Sequence, residues 1–143
     1  MAPLREELTE VLGRFDIHNR EPFLADIRRL YDDAVFFRDP MQQAEGLAAF
    51  LEVNRRMGRG AKRVSFRVQD STGDDSLFYL HWTMRFEPRV GPALTVEGVS
   101  RIRAEQRRVV EHIDYWDLGE LFASALPRGA GRKLLHLLFK PFV

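Results

Sequence analysis

Apolar residues in the first third of the chain recur every three or four positions, which predicts amphipathic helices. Two sets lie on either side of the polar break "DIHNREP"; they are Leu4, Leu8, Val11, Leu12 and Phe15, then Phe23, Leu24, Ile27, Leu30 and Tyr31. A third helical pattern follows Gly46 and ends at the glycines of "GRG", a typical helix terminator; it comprises the apolar Leu47, Phe50, Leu51 and Met57 together with the polar Asn54. Before it, the run "AVFFRD" is rich in β-forming residues and stops at Pro40, so a short strand is expected.

From Lys62 onward, apolar and polar residues alternate, which predicts β-strands. A "STGDD" turn separates the first two strands and an "EQ" tip joins the last two; the four strands are "RVSFRVQD", "SLFYLHWTMRFEP", "ALTVEGVSRIRA" and "RRVVEHIDYWD". This order predicts an α+β fold in which a curved antiparallel sheet wraps around the N-terminal helices. Such a sheet can enclose a pocket.

The alternation also assigns a face to each side chain. One face of the second long strand is apolar, with Phe78, Leu80, Trp82, Met84 and Phe86, and the matching face of the third carries Leu94, Val96, Gly98, Ser100 and Ile102. On the last strand, His112, Asp114 and Trp116 share a face. His81 falls on the polar side of its strand, where a surface or interface position is the expected one.

Composition narrows the class of protein. The chain has 143 residues, 45% of them hydrophobic, which suits a single globular domain over 1–143. A net charge of +1 argues against nucleic-acid binding. There is no cysteine, and the four histidines show no metal-binding spacing, so neither disulfides nor a metal site are expected. No apolar run could span a membrane, and "MAPLREELTEVL" is too charged for a secretory signal, which favours a cytoplasmic protein.

The C-terminal segment has a distinct pattern, because no acidic residue follows Glu120. A helix over about 128–140 would place basic residues on one stripe and leucines on another; they are Arg132, Lys133, His136 and Lys140, and Leu134, Leu137 and Leu138. Such a helix could lie on an anionic membrane or on a partner. It could also fold back on its own sheet, which is the commoner use of an amphipathic helix.

Two strings carry a resemblance to a known family. "IRRLYDDAVFFRDPMQQAEGLAAF" (27–50) and "VVEHIDYWDLGEL" (109–121) resemble the SnoaL-like branch of the nuclear transport factor 2-like superfamily. The resemblance implies an α+β cone with a deep apolar cavity, commonly in a homodimer. Function varies widely within this superfamily, so the fold alone does not assign one.

Ketosteroid isomerase, a member of the same superfamily, offers a sharper comparison. Its base is the aspartate of a "DP" pair, which Asp39-Pro40 resembles. The positions that resemble its two oxyanion donors are Phe15 and Ser100. Phenylalanine cannot donate a hydrogen bond and serine is the weaker donor, so steroid isomerase activity is not expected.

SnoaL-like polyketide cyclases place an acidic residue deep in the cone, and Asp114 resembles it. The resemblance implies that His112 and Asp114 face the cavity, where His112 would orient Asp114 or carry a proton. Asp114 could instead pair with Arg38 or Arg101, or bind Tyr31. Likewise, His112 could be a cavity wall, and Asp39 could simply start a turn. The other residues expected to line the cavity are Phe15, Tyr31, Phe78, Trp82, Met84, Ser100 and Trp116.

Two functions remain open on this basis. One is a cofactor-independent isomerase or cyclase in which Asp39 or Asp114, with His112, moves a proton beside a carbonyl of an apolar small molecule. The alternative is a non-catalytic module that binds a hydrophobic ligand or a partner protein. Epoxide hydrolysis needs an Asp-Arg-Asp arrangement, and no arginine lies two residues from an aspartate on an inward-facing strand.

Overall fold

A computed structural model describes residues 2–127 and 129–142. The helices are α1 (Leu4–Gly13), α2 (Glu21–Leu30), α3 (Leu47–Arg56), α4 (Leu118–Ser124) and α5 (Ala130–Phe139), and a 3₁₀ turn spans Lys140–Phe142. The strands are β1 (Tyr31–Arg38), β2 (Gln43–Glu45), β3 (Ala61–Gly73), β4 (Leu77–Pro88), β5 (Leu94–Glu105) and β6 (Arg108–Trp116). The fold is therefore α+β, as the sequence predicts.

The six strands form one curved, open sheet in the order β2-β1-β6-β5-β4-β3. The meander from β3 to β6 is antiparallel throughout. Outside the meander, one pairing is parallel, because β1 runs parallel to β6. This pairing is possible because β2, α3 and strands β3 to β5 separate the two strands along the chain, which allows the crossover that a parallel pair requires.

The N-terminal helices pack on the concave face of the sheet and build the core with it. Helix α1 contacts β3, α2 contacts α3, and α3 contacts β1. Their buried residues follow the spacing seen in the sequence, including Leu8 in α1, Ile27 in α2 and Phe50 in α3. Opposite them, Leu80 and Ile102 are fully buried on the sheet. The predicted inner face of β4 and β5 is thus confirmed.

Several element boundaries differ from the sequence prediction. Tyr31 does not continue the second helix but begins β1, where it remains fully buried. Strand β3 extends into the predicted turn, as far as Gly73. The tip between β5 and β6 consists of Gln106 and Arg107, both with positive φ, rather than of Glu105 and Gln106. Helix α4 was not predicted, and Asp117 caps it by accepting a hydrogen bond from the Glu120 N–H.

The C-terminal helix does not fold back on the sheet. Helix α5 spans Ala130–Phe139 rather than the whole predicted range, and Arg128 lies outside the described residues. It packs against α4, which in turn contacts β5. None of the described helices combines the length and apolarity needed to cross a bilayer.

Candidate functional site

A pocket of about 410 Å³ lies between the N-terminal helices and the concave face of the sheet. Its wall is mainly apolar and includes Leu12, Phe15, Phe23, Ile27, Phe37, Phe50, Phe66, Trp82, Met84, Phe86, Val96 and Trp116. Met41 also lines it and is 68% exposed, so the pocket reaches the surface. A pocket of this size and character suits a small apolar molecule.

A chain of hydrogen bonds crosses the sheet wall of this pocket. Trp82 Nε1 donates to Ser100 Oγ at 2.8 Å, and Ser100 Oγ donates to Asp114 Oδ1 at 2.5 Å. The same carboxylate oxygen lies 2.7 Å from His112 Nε2. His112 Nδ1 lies 2.7 Å from the Tyr31 hydroxyl. The hydrogen bonds therefore join five side chains on four strands, with the Asp114 carboxylate in the middle of the series.

The direction of each bond follows from donor and acceptor chemistry. An ionised carboxylate can only accept, so the His112 Nε2 position carries a hydrogen in this arrangement. A neutral imidazole then has its acceptor at Nδ1, and Tyr31 donates to it. Burial, and secondarily the charge of Asp114, raise the pKa of Tyr31 well above its ordinary value, so the phenol keeps its hydrogen.

The second oxygen of Asp114 is left for the pocket. Oδ1 accepts from both Ser100 and His112, whereas Oδ2 has no hydrogen-bond partner among the described residues. No buried side-chain oxygen or nitrogen in this part of the chain lacks a partner. Oδ2 is therefore accessible, and the side chain as a whole is 20% exposed while lining the pocket. Asp114 combines a fixed oxygen with a free one.

Asp39 also lines the pocket but is arranged differently. Its Oδ1 accepts from the backbone N–H groups of Met41 and Gln42, at 2.7 and 3.0 Å, and its Oδ2 accepts from Gln42 Nε2 at 3.1 Å. These contacts form an Asx turn at the end of β1. Asp39 thus takes the turn-forming role that the sequence left open, at the rim of the pocket. It shares no hydrogen bond with Asp114.

The residues expected to line the cavity are placed as follows. Phe15, Tyr31, Trp82, Met84, Ser100 and Trp116 all line the pocket, together with Asp39, His112 and Asp114. Phe78 is the exception: it has the predicted face but is fully buried in the core and does not reach the pocket. Its position opposite Ile102, near the closed end of the meander, accounts for this. Neither candidate aspartate pairs with an arginine among the described residues, and Arg101 instead pairs with Glu111.

Close packing of Trp82 against the sheet depends on a glycine. A Cβ at Gly98, the residue opposite Trp82 on β5, would lie 2.5 Å from two atoms of the Trp82 ring. Without a side chain at this position, the ring can lie over the strand and reach Ser100 with its N–H. Gly98 therefore helps to fix the hydrogen-bond chain that holds Asp114.

Sequence reasoning missed Asn54 as a site residue. Asn54 occupies an apolar position of the α3 pattern, is buried, and lines the pocket. Its Nδ2 donates to the Phe50 carbonyl at 2.8 Å, while no described residue donates to its Oδ1. Because no buried polar side-chain atom is left unpaired, that oxygen is accessible as an acceptor. The signal in the sequence was an amide where the helical period calls for an apolar side chain.

On the outer face of the sheet, a second histidine, His81, contacts carboxylates. His81 Nδ1 lies 3.0 Å from Asp70 Oδ2, and its Nε2 lies 2.5 Å from Glu97 Oε1. The hydrogen bond to Asp70, followed by the one to Glu97, raises the pKa of His81. Over residues 2–127 and 129–142, no group of three or more histidine or acidic side chains is arranged to hold a metal ion.

Comparisons with known proteins place this geometry in a family. A family model for the SnoaL-like domain matches residues 12–112. A search of curated proteins finds no match. Among solved structures, a protein with a ketosteroid isomerase-like fold from Catenulispora acidiphila DSM 44928, in complex with trimethylamine, superposes with a TM-score of 0.69 at 12% identity. The alignment covers 87% of this chain and 93% of that one.

Two further structures show the range of proteins built on this fold. One, from Jannaschia sp. CCS1, is named for SnoaL-like polyketide cyclases; it gives a TM-score of 0.68 at 14% identity and covers 87% of this chain and 95% of that one. The other is an M. tuberculosis LEH-like epoxide hydrolase with a TM-score of 0.64 at 16% identity, covering 96% of this chain and 93% of that one. At these identities the likeness shows the fold. Because the family model spans most of the chain, the protein belongs to the SnoaL-like family, and it has the NTF2-like fold.

Proposed function

We propose that this protein binds an apolar carbonyl compound in the pocket and that Asp114 moves a proton beside the carbonyl group, as in an isomerase or cyclase. The observation that carries the proposal is the accessible Oδ2 of a carboxylate whose Oδ1 is held by Ser100 and His112. A general base needs both a fixed position and a free lone pair in reach of the substrate.

The proton balance of the step is simple. Asp114 Oδ2 takes a proton from the carbon next to the carbonyl, and the electrons of that C–H bond move to the carbonyl oxygen as an enolate. If a C=C bond is conjugated with the enolate, the Asp114 carboxyl group returns the proton to the far carbon of that system and completes an isomerisation. In an aldol closure the enolate carbon instead attacks a second carbonyl carbon, and the carboxyl group returns the proton to the alkoxide that forms. No cofactor is required for either outcome.

The surroundings of Asp114 support this role. Tyr31 and Ser100 have committed their hydroxyl hydrogens to His112 and Asp114, so they hold the base rather than the substrate. The mainly apolar wall surrounds the reacting carbon with side chains of low polarity, which strengthens polar contacts made there. Asn54 supplies a separate accessible oxygen, which suits a hydroxyl or N–H group elsewhere on the ligand.

Deuterium exchange tests the proposal without knowledge of the natural substrate. The purified protein is incubated in D₂O with α-tetralone or 2-decalone, binding is followed by quenching of the pocket tryptophans, and deuterium uptake at the α-carbon is followed by mass spectrometry. We expect wild-type protein to accelerate exchange and Asp114→Asn to reduce that acceleration by about 10²- to 10⁴-fold with binding retained, since it removes a general base.

Two further variants make the test specific. Asp70→Asn makes the same chemical change on the outer face of the sheet and should leave exchange unchanged, whereas Asp39→Asn tests the other candidate base. If Asp39→Asn abolishes exchange and Asp114→Asn does not, the base is Asp39 and the proposal is wrong. Binding of the ketones without any acceleration would identify a non-catalytic ligand-binding protein instead, and absence of binding would exclude this substrate class.

A further inference from the structure

The C-terminal helix α5 exposes most of its apolar face. Leu134, Leu137 and Leu138 are 49%, 66% and 62% exposed, and Phe139 is 54% exposed. In a globular protein, the apolar positions of a helix are normally covered by the rest of the fold. Here α4 covers only the strip around Gly131, where a Cβ would collide with Ala123. Within residues 2–127 and 129–142, the rest of the fold therefore leaves most of this apolar face uncovered.

The opposite side of α5 is basic. At 100° per residue, Arg132, His136, Lys133 and Lys140 fall on one contiguous arc, and the four exposed apolar residues fall outside it. Arg132 pairs with Glu120 of α4 at 2.5 Å, which ties the helix to the domain. Across residues 2–127 and 129–142, no carboxylate pairs with Lys133 or Lys140. These two ammonium groups are thus available to an external anion.

We infer that α5 is a docking surface for an anionic lipid bilayer. A helix with leucine and phenylalanine on one side and lysine on the other lies in the interface plane, with its apolar face among the acyl chains and its cations at the headgroups. A second protein could cover the leucines, but the absence of any acidic residue after Glu120 favours a uniformly anionic partner. The inference does not depend on the reaction proposed for the pocket.

Vesicle sedimentation tests this with the full chain. Vesicles of phosphatidylcholine alone are compared with vesicles that also contain phosphatidylglycerol, at low and at high salt. We expect binding to the anionic vesicles only, weakened by salt because the attraction is screened. Lys133→Gln/Lys140→Gln should weaken binding about 25-fold, since each surface cation contributes about fivefold.

A matched control carries the same change in charge elsewhere. Arg59→Gln/Lys62→Gln alters two exposed cations after α3 and should bind the anionic vesicles like wild type. Leu134→Gln/Leu137→Gln should reduce binding by at least about tenfold, because the buried apolar area is lost. If Arg59→Gln/Lys62→Gln weakens vesicle binding as much as Lys133→Gln/Lys140→Gln does, only the net charge matters and the inference is wrong. Equal binding of the wild type to both vesicle types would also overturn it.

The oligomeric state in the absence of lipid tests whether a second copy of this chain, rather than a bilayer, covers this face of α5. Sedimentation velocity should give the same mass for wild type and for Leu134→Gln/Leu137→Gln. If the leucine variant alone dissociates an oligomer, the face of α5 is an interface between copies of this chain, and the inference is wrong.

Discussion

Each face of the sheet carries one histidine that contacts at least one carboxylate, but the surroundings of the two histidines differ sharply. On the outer face, both ring nitrogens of His81 contact carboxylates, and the side chain is 30% exposed. On the inner face, the His112 side chain is 6% exposed and binds one carboxylate and one phenol. Water screens the charges of His81 and its carboxylate partners, so these ion pairs contribute little to the stability of the fold. The inner pair fixes the orientation of a carboxylate in an apolar pocket, where geometry and charge have large effects.

The difference follows from strand periodicity. His81 and Trp82 are neighbours in sequence, yet one faces solvent and the other faces the pocket. Residue type alone therefore does not distinguish a surface ion pair from a site component. Position on the strand does.

The largest expected contrast is in stability. His112→Ala should lower the free energy of unfolding by about 3 to 5 kcal/mol, because it opens a cavity among Tyr31, Phe37 and Phe50 and leaves the Tyr31 hydroxyl unpaired. His81→Ala should cost far less. Urea unfolding of the two variants measures this, and similar losses would show that the buried chain is not the stronger of the two.

A smaller effect is expected when one hydroxyl is removed from each face. Tyr31→Phe deletes the donor to His112 Nδ1 and should lower the free energy of unfolding by about 1 to 3 kcal/mol, since a buried acceptor is left unpaired. Tyr79→Phe is the control, because Tyr79 is partly exposed and contacts Arg101 on the outer face. Chemical denaturation compares them, and a larger loss for Tyr79→Phe would contradict the view that the buried hydrogen bond contributes more to stability than the exposed one.

The smallest effect is a pH dependence on the outer face. Because its hydrogen bonds to Asp70 and Glu97 raise the pKa of His81 above 6.5, protonated His81 stabilises the folded state. That contribution is fully present below the unfolded pKa and disappears as pH rises through the folded one. The melting temperature of wild type should exceed that of His81→Gln at about pH 5.5, and the gap should close by about pH 9. A gap that widens with pH would reverse the sign and refute this account.

Much of the fold could be predicted from local pattern. Period-two alternation placed Trp82 on the apolar face of β4 and Ser100 on that of β5, because side chains alternate strictly along a strand. The family resemblance, and not the alternation, implied that Asp114 faces the cavity with them. Element ends were less predictable. Tyr31 fits the helical spacing of α2 but pairs with Val109 of β6 instead, an interaction between residues far apart in sequence. The parallel pairing of β1 with β6 could not be predicted from local sequence either, because it also joins residues that are far apart along the chain.

The candidate site was predictable only as a set of residue types. Asp39 and Asp114 were both plausible bases, and the resemblance to relatives favoured neither. Hydrogen bonding separated them: both oxygens of Asp39 are occupied within its own turn, whereas Asp114 keeps one oxygen accessible. Asn54 escaped notice because its helical position looked apolar until the pocket beside it was visible.

The sequence by itself determined the three N-terminal helices, the C-terminal helix and the antiparallel meander, since these depend on periodicity and on local backbone preferences. Only the tertiary structure decided which carboxylate has a free oxygen and how much of α5 remains uncovered. Both depend on contacts between distant segments: Ser100 and Tyr31 meet Asp114 and His112 across the sheet, and α4 is too narrow to cover the leucines of α5. Those contacts exist only once the chain has closed around its pocket.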